Sequence, residues 1–203
     1  MRNGACEFFH MLRFRILADD RSEEDVYWTN HTDRRTNAGS QSLTGPKPDL
    51  TYGLPIYQSI EGLPAGTTAM TDARNFSGAT IRKLNNRPWE LKASLTNKIH
   101  QKIPTELKDS DLMCFPWAVV EVKHSSGRKD FCYRQAANAS ATALDVMIRL
   151  FTGPGDRILD DMPPVIAFTC IGPEFRLWLM YWSEQDGLRT KVRTQWKDED
   201  LKC

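Results

Sequence analysis

Residues 114–123 read CFPWAVVEVK. After the loop HSSGRKD (124–130) the chain continues FCYRQAANASATALDVMIRLFT (131–152). In an extended strand Trp117, Val119, Glu121 and Lys123 share one face, and Ala118, Val120 and Val122 share the other. Both faces stay apolar until Glu121, which predicts a central strand that turns polar only at its end. The segment that follows places Ala137, Ala141, Leu144, Ile148 and Phe151 on one stripe at helical spacing. Its small residues predict a helix whose backbone lies close against a sheet. A buried strand followed within about ten residues by such a helix points to a mixed α/β (α+β) fold, a sheet flanked by helices.

Outward from this unit, three further strands are expected at 164–171, 174–182 and 187–196. Gly172-Pro173 and Glu184 to Gly187 supply the turns. Upstream, LTYG (50–53) after Pro48-Asp49 reads as a short strand. Phe8, Phe9, Leu12, Ile16 and Leu17 predict an amphipathic helix over 5–25 that ends in Glu23, Glu24 and Asp25. Residues 28–48 read as a polar loop. The Gly- and Pro-rich stretch 54–87 shows little pattern, and Trp89, Leu91, Leu95 and Ile99 suggest a helix between Pro88 and Pro104. One domain over 1–203 is expected, carrying an insertion over about 54–112.

The chain has 203 residues, 27 basic and 26 acidic, for a net charge of +1. That balance excludes a histone-like tail or a wholly basic coat but leaves a local basic groove open. Five cysteines (Cys6, Cys114, Cys132, Cys170, Cys203) form no CxxC pair, so neither a zinc ribbon nor a disulfide scaffold is supported. Arg13 and Arg15 break the N-terminal apolar stretch, which argues against a signal peptide, and no apolar run reaches membrane-spanning length. An intracellular protein, nuclear or cytoplasmic, without a membrane partner is expected. The oligomeric state is left open, as is membership of a larger protein.

The residues with chemical potential are Asp49, Glu121 and Lys123. Two carboxylates from different strands can hold a hard cation such as Mg²⁺ and leave water sites free. Lys123, two residues beyond Glu121 on the same strand face, can orient an attacking water or offset developing negative charge. The Val122 carbonyl could add an oxygen ligand, and Gln135, near the start of the helix, could reach back with a neutral amide. On spacing alone, Glu121 and Lys123 read equally as a solvated strand-end pair, and Asp49 as a turn residue. Arg128 and Lys129 follow the cluster directly. Arg189, Lys191 and Arg193 alternate along the last strand, either tracking a phosphate backbone or forming a solvated outer face. The tryptophans read mainly as core, with Trp28 hard to place. The histidines have no metal-ligand spacing.

Pro48-Asp49 followed by Glu121-Val122-Lys123 resembles the PD-(D/E)XK nuclease superfamily, the restriction-endonuclease-like fold. FPWAVVEVKHSSG with RQAANASATAL, and KPDLTYGL, are similar to the PD-(D/E)XK-like domains abundant in fungal proteins. The resemblance spans about residues 46–182 through three short blocks. It implies an αβββαβ core and Mg²⁺-dependent cleavage of nucleic acid, with DNA favoured over RNA and Mn²⁺ as a substitute ion. Asp49 and Glu121 would be metal ligands, Lys123 the catalytic lysine, and Gln135 the glutamine found in some nuclease branches. Asp49 and Glu121 lie 72 positions apart, which requires the insertion. Some members add an acid from the first helix, for which Glu23, Glu24 and Asp25 are the candidates. A catalytically inactive module that keeps the fold and binds nucleic acid or protein is the alternative.

Overall fold

The computed structural model describes residues 21–32, 45–59, 71, 74–85, 91–101, 106–152, 162–185 and 188–195. The strand expected around CFPWAVVEVK runs Met113–Lys123 (β3), and the helix after it runs Lys129–Thr152 (α2). β3 pairs in parallel with Val165–Ile171 (β4), from Ala118 opposite Ile166 to Lys123 opposite Ile171. Parallel neighbours need a long crossover, and α2 supplies it. On the other side β3 pairs antiparallel with Leu50–Pro55 (β2), which pairs antiparallel with Arg21–Glu24 (β1). Beyond β4 come Glu174–Gln185 (β5) and Leu188–Gln195 (β6), each antiparallel to its neighbour. The described residues thus form a six-stranded mixed sheet in chain order, in an α+β chain. β3 lies in its interior, as its two apolar faces require.

α2 covers one face of this sheet. Cys132, Ala136, Ala139, Ala143 and Leu144 are buried there, with Val119, Val165, Ala167 and Met180 beneath most of them. Ala137, Ala141 and Ile148 are only partly buried, so the helix is turned about one position from the expected stripe. The hydroxyls of Ser140 and Thr142 donate back to the carbonyls of Ala136 and Asn138, each at 2.7 Å, so both satisfy themselves within the helix. A second apolar cluster joins Ile56, Ile81, Leu91, Ile99 and Phe115 to Val146 and Met147 near the end of α2.

Four expectations for the first half are corrected. Residues 21–24 form the edge strand β1, so no helix reaches residue 25; residues 1–20 lie outside the described set. Within 54–87, where no element was expected, Gly78–Asn85 form a helix (α1) that buries Ile81. Between Pro88 and Pro104 the described residues form no α-helix, only a single 3₁₀ turn at Lys98–His100. Leu91, Leu95 and Ile99 are nonetheless buried. Their i, i+4, i+8 spacing mimics a helix, but the segment runs irregularly along β3: the Phe115 N–H donates to the Ala93 carbonyl at 3.0 Å and the Leu95 N–H to the Met113 carbonyl at 3.3 Å. The polar loop expected over 28–48 does not hold at its start: Trp28 is fully buried and donates to the Thr51 hydroxyl at 3.3 Å, and Asn30 and His31, close to it in sequence, are buried too. Residues 33–44 are outside the described set. No helix among the described residues is long and apolar enough to cross a membrane.

Candidate metal centre at the end of the central strand

The antiparallel register pairs Leu50 with Val120, so Asp49 arrives beside Glu121 where β2 begins and β3 ends. Asp49, Glu121 and Lys123 converge there. The Lys123 Nζ lies 3.4 Å from Asp49 Oδ2 and 3.4 Å from Glu121 Oε2, so the two carboxylates stand no more than twice that distance apart. The Val122 N–H donates to Asp49 Oδ2 at 2.6 Å and fixes its orientation. In a strand, the N–H and C=O of one residue project to the same edge, so the Val122 carbonyl also faces the Asp49 side, past the first residue of β2.

The three groups differ in exposure. Glu121 is 1% exposed, roofed by α2, while Asp49 and Lys123 are partly open to solvent. Burial, followed by the Asp49 charge, pushes the Glu121 carboxyl up to about 7, although Lys123 pulls the other way. For Lys123, burial alone would lower the ammonium, but the Glu121 and Asp49 carboxylates overcome it and hold the group above its ordinary value. A buried acid near neutrality beside a fixed second carboxylate is a poor structural ion pair, because desolvation of Glu121 offsets much of the attraction.

Gln135 sits on α2 between the buried Cys132 and Ala136. The Cys132 thiol donates to the Glu121 carbonyl at 3.7 Å, so this turn of the helix lies over the cluster. The Gln135 Oε1 is buried and accepts no hydrogen bond from the protein. A buried acceptor of this kind wants a water or a cation ligand shell as its partner. The Asp49 and Glu121 carboxylate oxygens, with the Val122 carbonyl on the Asp49 side, form an all-oxygen donor set of the kind that fits Mg²⁺ or Mn²⁺. Among the described residues no group of three or more His, Cys, Asp or Glu side chains converges on one point.

The further acid expected from the first helix does not join. Glu23 and Glu24 stand in β1 opposite Thr51 and Leu50. The Asp25 N–H donates to the Asp49 carbonyl at 3.0 Å, but its exposed carboxylate pairs with Lys47 at 3.1 Å. Arg128 is exposed and holds Asp130 through two hydrogen bonds of 3.2 and 2.7 Å. Lys129 reaches across to Glu174 on β5. Arg189, Lys191 and Arg193 lie in β6 opposite Glu184, Trp182 and Met180; their side chains are outside the described set.

The loop behind Lys123 is tightly built. The Gly127 N–H donates to the His124 carbonyl at 2.7 Å, and a β-carbon on Gly127 would stand 3.0 Å from that of Lys123. The Gly172 N–H donates to the Lys123 carbonyl at 3.0 Å, tying the β4–β5 turn to the site.

Sequence reasoning missed a second polar group. Ser94 Oγ lies 2.9 Å from His100 Nε2, the spacing of a nucleophile and its base. Ser94 is fully buried and donates to the Thr96 carbonyl at 2.9 Å, and its own carbonyl is met by Asn30 and His31. It is a structural knot without access for a substrate. Comparison with protein-family models, curated proteins and solved structures returned no match.

Proposed function

We propose that this chain is a divalent-metal-dependent nuclease of the PD-(D/E)XK type, acting on nucleic acid, with DNA the favoured substrate. The observation that carries this reading is the convergence of Asp49, Glu121 and Lys123, with Lys123 Nζ 3.4 Å from each carboxylate. With α1 set aside as part of the insertion between β2 and β3, the order β1, β2, β3, α2, β4 is compatible with the βββαβ part of the core that the resemblance implies. Asp49 and Glu121 would hold the ion, with the Val122 carbonyl beside them. A bound Mg²⁺ would polarise the scissile phosphate and lower the pKa of a coordinated water. The Lys123 ammonium would then face the charge that develops on the phosphoryl oxygens. Gln135 would accept a hydrogen bond from the attacking water through the oxygen that has no protein partner.

A second reading, a catalytically silent module of the same fold, is favoured by one observation: Asp49 Oδ2 already accepts from both the Val122 N–H and Lys123. One experiment separates the two. Plasmid and single-stranded DNA are incubated with Mg²⁺ or Mn²⁺, and Mn²⁺ binding is measured by calorimetry. The nuclease reading expects cleavage that falls by about 10²–10³-fold in Glu121→Gln and Lys123→Ala, a loss comparable to removing one transition-state donor. Cleavage unchanged in both variants overturns it. Mn²⁺ binding without cleavage by the wild type favours the silent module.

A further inference from the structure

Two strands away from Glu121, a second charged cluster shares the α2-covered face of the sheet. Glu121 is aligned with Thr169, and Thr169 with Arg176. With strands about 4.8 Å apart, the Arg176 backbone lies roughly 10 Å from that of Glu121. Trp178 links the two clusters, donating to the Thr169 hydroxyl at 3.0 Å and meeting the Tyr133 ring edge-on at 5.4 Å. The Arg176 guanidinium lies over the Tyr133 ring, 5.3 Å from its centre.

Three donors from two elements converge on one carboxylate. Lys129 from α2 and Arg176 from β5 both pair with Glu174, and the Tyr133 hydroxyl donates to it at 3.2 Å. Glu174 is only partly covered, and Lys129 remains half open to solvent. Two cations and a phenol fixed around one partly covered anion form a cradle whose geometry suits a phosphate oxygen as well as a carboxylate. The planar guanidinium is held by its tyrosine, so little of its freedom remains to be lost on binding.

We propose that Lys129, Arg176 and Tyr133 form a backbone-phosphate subsite for a nucleic-acid strand entering the metal centre, with Glu174 as the internal anion that the phosphate displaces. The proposal rests on the nuclease reading for the direction of the strand, and it adds residues that contact substrate away from the scissile bond. A phosphate oxygen in place of the carboxylate would keep both cations and the phenol paired, so the exchange replaces one set of charge-assisted hydrogen bonds with another.

The test is fluorescence anisotropy of a labelled single-stranded oligonucleotide with the full chain in EDTA, over a salt series. Lys129→Gln and Arg176→Gln should each weaken binding several-fold and reduce the salt slope by about 0.7, the loss of one phosphate contact. Glu174→Gln should tighten binding, because the competing anion is gone. Unchanged affinity and slope in both cation variants, at wild-type melting temperature, overturns the subsite, as does weaker binding by a folded Glu174→Gln. Absence of oligonucleotide binding by the wild type overturns it also. Failure of the nuclease reading is distinct: there the wild type binds with the expected variant effects but does not cleave with Mg²⁺ or Mn²⁺.

Discussion

At the residue scale, Glu121 holds its carboxyl in a buried place beside a second carboxylate. The residue is 1% exposed, and its carboxyl is pushed up from 4.5 to about 7, by burial first and the Asp49 charge second. The folded protein therefore holds a proton that the unfolded chain has released between those values. Where the folded state binds more protons, stability falls as pH rises. The wild type should lose on the order of 3 kcal/mol between about pH 4.5 and 7 relative to Glu121→Gln, which cannot ionise. Melting temperatures of the two proteins across pH 4–8 should diverge in that window. If the wild-type curve runs parallel to that of the variant, Glu121 does not titrate as its surroundings require. The site residues were legible as residue types in a strand-end pattern. The near-neutral acid was not, because burial of Glu121 depends on a helix turn laid over it from outside its own strand.

At the element scale, the site depends on the way β3 hands over to α2 and on the turn that closes against it. Gly172 has φ +56°, and a β-carbon there would meet the Ser125 Cβ at 2.7 Å. This turn holds the loop after Lys123 through the Gly172 N–H bond to the Lys123 carbonyl. Gly172→Ala should destabilise the protein by about 1–2 kcal/mol from the left-handed backbone alone, with more from the clash. Urea denaturation gives the magnitude, and a neutral result would show that the turn relaxes away from Ser125. The turn was legible as Gly172-Pro173. So were β3, α2 and the last three strands, because apolar runs of strand length, a stripe at helical spacing and turn residues between them are all local features of the sequence. The segment from Leu91 to Ile99 was misread for a related reason. Three apolar residues at spacing 4 carry no information about whether hydrogen bonds close within the segment, and here they go to β3.

At the scale of the whole molecule, the region between β2 and β3 is anchored by a buried carboxylate. Asp111 accepts from the Thr96 hydroxyl at 2.7 Å, from Lys98 Nζ at 3.0 Å and from the Lys108 N–H at 3.0 Å. Burial alone would raise its carboxyl, but the Lys108 amide, Thr96 and Lys98 together hold it below the ordinary value. For an acid depressed in the folded state, the stabilisation is present above the ordinary carboxylate pKa and is lost as pH falls through the folded value. Asp111→Ala should cost about 2–4 kcal/mol near pH 7, since it leaves the buried Thr96 hydroxyl, the Lys108 N–H and the partly buried Lys98 ammonium without their acceptor. That deficit should shrink in strong acid. Calorimetric melts at pH 7 and pH 3 measure both, and a deficit equal at the two pH values would mean that the charge of Asp111 is not what holds this region.

Periodicity and residue chemistry by themselves determined that β3 is a central strand, that α2 follows it and that two carboxylates and a lysine were the groups to watch. Such properties are local: alternation, helical spacing and the polar end of an apolar strand are written within about twenty residues. Only the tertiary structure decided that Asp49, 72 positions upstream, meets Glu121, because antiparallel register between β2 and β3 is set by long-range pairing. It also placed Glu23 and Glu24 on an edge strand, gave Gln135 a buried oxygen without a protein partner, and drew Lys129, Tyr133 and Arg176 around Glu174. Each of these joins elements distant in sequence, where the free energy of sheet pairing and core burial, and not local propensity, selects the partner.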